Sequence, residues 1–164
     1  MGKYNYGTTS KTRAEGISSF IWDTACRALD MSDDLDWGVG PYGGKRSEKE
    51  QNDLFNKKKS KLDGYKKKSF HQTGNALDLV PVIDGKMTWE FDWAFIKIAK
   101  LMLTAFDDLK GEGRIPKDIY LHWGGFWKSE DRSGDGDMQT GEMGWDGPHF
   151  ELRSKPQIRH FERF

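Results

Sequence analysis

The sequence predicts an α+β domain in which a small, mostly antiparallel sheet packs against helices. Three observations point there. Apolar residues recur at helical spacing in three segments, short β-like runs without strict alternation lie between them, and no internal repeat or linker divides the 164 residues. A chain of this length forms one domain, residues 1–164, and can bury a substantial core.

Thr12-Arg13-Ala14-Glu15 has the form of a capping box, with Thr12 as the expected N-cap. Behind it Ile17, Phe20, Ile21, Thr24, Ala25 and Ala28 form one core-facing stripe. Cys26 falls on the same helix, where a small buried hydrophobe is the expected role. The stretch 36–42 reads as a strand. Ser47 to Glu50 repeats the capping-box pattern and opens a second helix through Leu54 and Phe55. Residues 76–83 form the next strand. A strongly apolar helix is expected over 89–109, where Phe91, Ala94, Phe95, Ile98, Leu101, Met102 and Ala105 wrap far round the cylinder. Strands at 119–123 and 149–152 complete the set.

Composition excludes several classes. The hydrophobic fraction is 35% and the charged fraction 32%, so seven Trp and ten Phe are expected to carry much of the burial. Zero formal net charge predicts no global attraction to nucleic acid or membrane. A single cysteine excludes an internal disulfide framework and a cysteine-rich zinc module. The polar start, Met1 to Ser10, has no signal-peptide pattern, and no run is long enough to span a bilayer. Synthesis and initial retention in the cytoplasm are therefore expected, with no stable membrane insertion. Lys57, Lys58, Lys59, Lys61, Lys66, Lys67 and Lys68 crowd one connection, which reads as a solvated, mobile face or as a local contact for a polyanion such as cell-wall polymer.

The chemistry concentrates in two segments, Ser69 to Asp78 and Asp146 to Glu151. His71 sits at a turn leading into a strand. Asp78 falls at the start of the apolar run Leu79-Val80-Pro81, where an unpaired carboxylate would be costly and a divalent cation would remove the cost. The small residues Gly74 and Ala76 let His71 and Asp78 converge. His149 offers a third ligand, and Asp146, three residues earlier, is a spare carboxylate. Three protein ligands, an open position for water and a base make up a catalytic zinc site. His122, within a strand, is expected in a core or cleft role, and His160, in a polar tail, is expected to be exposed.

Ser69-x-His71-x-x-Gly74-x-Ala76-x-Asp78 resembles, position by position, the SxHxxGxAxD signature of the zinc D-Ala-D-Ala carboxypeptidase and L-alanyl-D-glutamate endopeptidase family. Asp146-Gly147-Pro148-His149-Phe150-Glu151, preceded by Trp123-Gly124-Gly125-x-Trp127, is most similar to its phage endolysin branch. The resemblance runs from the first helix through Leu152. It implies a fold like that of the D-Ala-D-Ala peptidases and the hedgehog signalling domain. It also implies His71, Asp78 and His149 as zinc ligands, Asp146 as acid/base, Arg46 as stabiliser of the oxyanion, and Ser69 as a hydrogen-bonding group behind the first ligand. Two departures stand out: Phe126 replaces an acidic residue common in phage relatives, and the segment before Arg46, Gly38 to Gly44, is unusually rich in glycine.

An acidic insertion, residues 129–144, carries a second pattern. Asp131, Ser133 and Asp135 fall at positions one, three and five of a twelve-residue loop. Gly136 is at six, Asp137 at seven (offering its carbonyl), and Glu142 at twelve. This is the calcium-loop pattern of EF-hands, against which stands a flexible acidic surface loop without flanking helices. The calcium reading has the ion ordering the loop and thereby placing Asp146.

The reading implied for the whole chain is a monomeric, zinc-dependent phage endolysin that cleaves the L-alanyl-D-glutamate bond of peptidoglycan stem peptides after holin-dependent release to the wall, with calcium as a regulatory ion. A D-Ala-D-Ala carboxypeptidase or dipeptidase stays open as an alternative, as does a non-catalytic wall-binding domain on the same fold.

Overall fold

The computed structural model describes residues 2–159, 161 and 164. The first helix, α1, covers Thr8–Arg13, and α2 covers Ser19–Asp30. Strand β1 follows at Asp36–Val39, then α3 at Glu48–Asn56 and β2 at Ala76–Ile83. The chain continues through β3 (Lys86–Met87), α4 (Asp92–Gly111), β4 (Tyr120–Trp123) and β5 (His149–Arg153). The sheet order is β1-β2-β5-β4, with β3 also paired to β2, and every pairing is antiparallel. This is the α+β architecture expected.

The core lies between the sheet and two helices. α2 turns Ile21, Thr24, Ala25, Ala28 and Leu29 inward and packs on α4, whose buried face includes Phe95, Ile98, Met102 and Leu109. Leu77 and Leu79 of β2 and Phe150 of β5 meet that face from the sheet. Burying one such Leu or Phe stabilises the fold by about 1.5–3 kcal/mol, so this layer contributes most of the drive to fold.

Several local expectations change. Thr12 does not cap a helix: α1 ends at Arg13, Gly16 takes a left-handed φ of +80° that breaks the run, and Ser18 caps α2 through the Phe20 N–H. α4 starts at Asp92 rather than at residue 89, because Phe91 is extended, and Trp89 and Phe91 stand exposed. Cys26 is exposed rather than buried, one step round from the Ala25–Ala28 face. Aromatic burial is uneven, since Trp37 and Trp123 are enclosed whereas Trp89, Trp93 and Trp145 face solvent. The Ser47 capping box is present as expected, with both reciprocal hydrogen bonds.

The lysine-rich connection is solvated but organised. Asp63 Oδ1 accepts from the N–H groups of Tyr65, Lys66 and Lys67, and the buried Gln51 Nε2 donates to Ser60 and Leu62. Its lysines are exposed.

Candidate metal centre

The centre sits where β2 and β5 pair. Their register sets Asp78 directly opposite His149, so the two side chains leave the same face of the sheet. His71 arrives from a 3-10 turn, Phe70–Thr73, just ahead of β2. Ser69 caps that turn by accepting the His71 N–H, and the Gln72 side chain returns to the Ser69 N–H. Ser69 thus acts on the backbone of the turn and not on the imidazole.

Three atoms converge. Asp78 Oδ1 is 3.0 Å from His149 Nδ1 and 3.2 Å from His71 Nε2, and the two ring nitrogens are 3.2 Å apart. Among the described residues this is the only trio of histidine, cysteine or acidic side chains whose ligand atoms all lie within 4.8 Å. The triangle approximates the edge of about 3.3 Å of a tetrahedron with zinc–ligand bonds near 2.0–2.1 Å.

The far side of each ring fixes its tautomer. His71 Nδ1 lies 2.9 Å from the Gly44 carbonyl, and His149 Nε2 lies 2.9 Å from Glu151 Oε1. Both partners are acceptors, so those nitrogens carry protons, and each ring, when neutral, turns a lone pair to the centre. Two lone pairs and a carboxylate oxygen at such separations call for a cation. Glu151 is itself held by Arg153, which lies over the Phe70 ring at 4.3 Å. The one sign of this role for Glu151 in the sequence is its position two residues after His149 on a strand, which puts both side chains on one face.

The groups respond electrically. Burial penalises the Asp78 carboxylate, yet the charges and hydrogen bonds of His71 and His149 more than offset it and hold its pKa well below the usual range. Burial lowers that of the His149 imidazole, but its hydrogen bonds to Asp78 and Glu151, with the charges of Asp78 and Asp146, leave it near 10 without a metal. Protons and metal therefore compete for the same site.

Arg46 reaches the other oxygen of Asp78. Its Nη2 is 3.2 Å from Asp78 Oδ2, its Nη1 donates to Gln51 Oε1 at 3.1 Å, and its Nε donates to the Tyr42 carbonyl at 2.6 Å. The glycine-rich segment is what delivers it: Gly40 N–H donates to the Asp78 carbonyl and Asp78 N–H to the Gly43 carbonyl, so the turn wraps round Asp78. Tyr42, with φ of +57°, is strained to do so.

Asp146 is half-buried beside this centre. Burial raises its carboxyl pKa, assisted by Asp78 and opposed by His149, His71 and Arg46, which places it in the field of all four groups. Its loop is clamped to the Trp123–Trp127 segment. Gly144 N–H donates to the Gly125 carbonyl at 2.6 Å, and Trp123 Nε1 donates to the Gly147 carbonyl at 2.7 Å. A Cβ on Gly144 would collide with the Trp127 carbonyl, so the two backbones touch only because no side chain intervenes. Phe126, at the variant position, is buried in the core rather than lining the centre.

Other sequence candidates stand apart. His122 is half-buried, bonded to the Lys155 carbonyl at 2.6 Å on the face of β4 opposite Leu121 and Trp123, and so plays neither a core nor a cleft role. His160 lies outside the described residues. The insertion is folded: Asp131 accepts the N–H groups of Gly134 and Gly136, and Glu142 those of Ser133 and Gln139. Ser133 Oγ bridges Asp131 and Asp135 at 3.2 and 2.9 Å, and Asp137 faces Lys100. These acidic groups do not form a second trio within 4.8 Å.

A sequence model of a family described as phage L-alanyl-D-glutamate peptidase matches residues 2–153. No curated protein matches. Among solved structures, the crystal structure of the Serratia marcescens L-Ala D-Glu endopeptidase ChiX is similar, with a TM-score of 0.63, 26% identity and 92% of each chain covered.

Proposed function

The chain belongs to the phage L-alanyl-D-glutamate peptidase family, and from that premise we propose that it is a zinc-dependent endolysin hydrolysing the L-alanyl-D-glutamate bond of peptidoglycan stem peptides. The observation that carries the metal chemistry is the convergence of His71 Nε2, Asp78 Oδ1 and His149 Nδ1 with both imidazole tautomers fixed from behind. Zinc held there would supply Lewis acidity and an acidified water at an open fourth position.

The chain's own residues do the rest. Asp146 takes a proton from the attacking water, and its raised pKa suits it to hold that proton. As the amide C–N bond breaks, Asp146 gives the proton to the departing amine of D-glutamate. Arg46, fixed by three acceptors, sets positive charge beside the carbonyl oxygen where negative charge develops. Its contact with Asp78 Oδ2 also leaves Oδ1 turned to His71 and His149, where it would hold a zinc ion.

Digestion of defined muropeptides followed by mass spectrometry tests this reading, with and without chelator. Release of D-glutamate-terminated peptides that stops on chelation is expected. Loss of a terminal D-alanine instead would assign a carboxypeptidase, and binding to wall without any cleavage would assign a non-catalytic domain.

Among the described residues no helix is long and apolar enough to cross a membrane. We place the protein as a monomer, one catalytic domain, that reaches peptidoglycan through a holin-made lesion. Calcium is proposed at Asp131, Ser133, Asp135, the Asp137 carbonyl and Glu142, supported by the twelve-residue spacing and by Ser133 bridging Asp131 and Asp135. Calorimetric titration tests it: Asp135→Ala with Glu142→Ala should abolish calcium uptake, and unchanged uptake would reject the site.

A further inference from the structure

The ring of Trp127 lies 5.3 Å from the His149 imidazole and 5.6 Å from the ring of Trp145, tilted 37° to the latter. Trp145 is 68% exposed, the most exposed aromatic side chain among the described residues, and immediately precedes Asp146. Two aromatic steps therefore lead from a metal ligand to open solvent. The backbones that carry both rings are pinned. Trp127 N–H donates to the Gly124 carbonyl at 3.1 Å, and the residues flanking Trp145 are pinned by Gly144 N–H to Gly125 and by His149 N–H to the Asp146 carbonyl. A large indole carried on a fixed backbone, backed by a second ring and open to water beside a reaction centre is a ready stacking surface.

The chemistry of the substrate says what would cover it. In a stem peptide the L-alanine is joined through its amine to the lactyl group of N-acetylmuramic acid, so one residue and a short ether link separate the scissile carbonyl from a pyranose ring. At about 3.3–3.6 Å per residue, that ring falls within two aromatic steps of the centre. On the other side of the bond, the carboxylates of D-glutamate gain nothing from an indole face, and the ammonium of the diamino acid, which would gain from one, lies a further residue from the scissile carbonyl. The alanine methyl is too small to cover one. A pyranose offers a flat face of C–H groups of matching size.

Resting on the endopeptidase reading above, we propose that Trp127 and Trp145 form a subsite that stacks the N-acetylmuramic acid ring preceding the scissile bond, so that glycan-linked stems are preferred to free peptides. Trp127 supports the platform and Trp145 presents it.

The zinc-loaded enzyme is assayed on N-acetylmuramyl-tripeptide and on the same tripeptide without sugar. Wild type should favour the glycosylated substrate, Trp145→Ala should cut the ratio of the two kcat/KM values about tenfold, mainly through KM, and Trp145→Tyr should restore most of it. Equal losses on both substrates, or no change in the ratio, overturn the subsite. In a second measurement, N-acetylmuramyl-L-alanine should perturb the indole fluorescence of wild type but not of Trp145→Ala, whereas L-alanine should perturb neither. Absence of the wild-type signal also overturns it. Wild type that binds this ligand yet cleaves neither tripeptide at L-Ala–D-Glu would sustain the subsite and reject the endopeptidase reading.

Discussion

Glu151 Oε1 and His149 Nε2 stand 2.9 Å apart on one face of β5, so the strand that carries a candidate metal ligand also carries the carboxylate that orients it. A ligand and its orienting group carried two residues apart need no tertiary adjustment to meet.

Glu151→Gln should weaken zinc binding about 10–100-fold, since the amide can hydrogen-bond the ring but no longer bears the charge that raises its basicity. Competition with a chromophoric chelator reads the affinity. An unchanged dissociation constant would show that Glu151 serves only Arg153.

The metal-free protein should lose stability as pH rises. His149 holds its proton in the folded apo state to about pH 10, whereas an unfolded imidazole releases it near 6.5, so the native state binds the extra proton. The resulting stabilisation is complete below pH 6.5 and disappears between 6.5 and 10. Melting temperatures of chelator-treated protein should fall across that window, and the zinc-loaded form should not follow. Zinc uptake near neutral pH should release a proton, measured by calorimetry in buffers of different ionisation enthalpy.

Asp146→Asn should reduce kcat on the order of 10²–10⁴-fold while leaving bound zinc stoichiometric. Because burial raises the Asp146 pKa, the acid limb of the wild-type rate profile should lie above the ordinary carboxylate range and vanish in the variant. A wild-type limb at an ordinary carboxylate pH would remove Asp146 from the role of base.

Arg46→Lys should not rescue Arg46→Ala. The guanidinium satisfies Tyr42, Gln51 and Asp78 at once, in directions that a single ammonium cannot reproduce. Both variants should lower kcat/KM to a similar extent, and recovery by lysine of more than half the wild-type rate would reduce Arg46 to a simple charge.

Gly144→Ala should destabilise by about 1–3 kcal/mol, because the added methyl forces two backbones apart. Activity should fall as well, since the displaced segment bears Asp146. Gly134→Ala is the contrast: φ is +72° and nothing lies within 4 Å of the new Cβ, so strain of about 1 kcal/mol is expected with turnover retained. Thermal melts and muropeptide assays on the pair separate the two effects.

What the sequence discloses about this site is its side chains, and what it hides is mostly backbone. His71, Asp78 and His149 are legible because metal chemistry demands particular residue types, and β2–β5 register then brings them together. The Gly44 carbonyl that sets the His71 tautomer has no residue-type signature at all. Gln51, buried between Arg46 and the lysine-rich connection, reads in sequence as an ordinary polar position of α3. At α1 and α2 the Thr12 pattern competed with Gly16, and the left-handed glycine decided where the helix stops. The α4 boundary moved for a similar reason: apolar periodicity continues through Trp89 and Phe91, but periodicity does not distinguish a buried aromatic from one left in water.

The acidic excursion between residues 129 and 144 starts and finishes at one point, where Glu130 N–H meets the Glu142 carbonyl and Gly144 N–H meets that of Gly125. The closure entropy of such a loop grows only with the logarithm of its length, about 0.6 kcal/mol per doubling. Lengthening or shortening its tip should therefore leave the catalytic neck in register. Residues 133–136 are thereby a port where a wall-targeting module could be spliced in to redirect the enzyme to a new host, at the cost of the proposed calcium ligands Ser133 and Asp135 but with the neck that holds Asp146 kept closed.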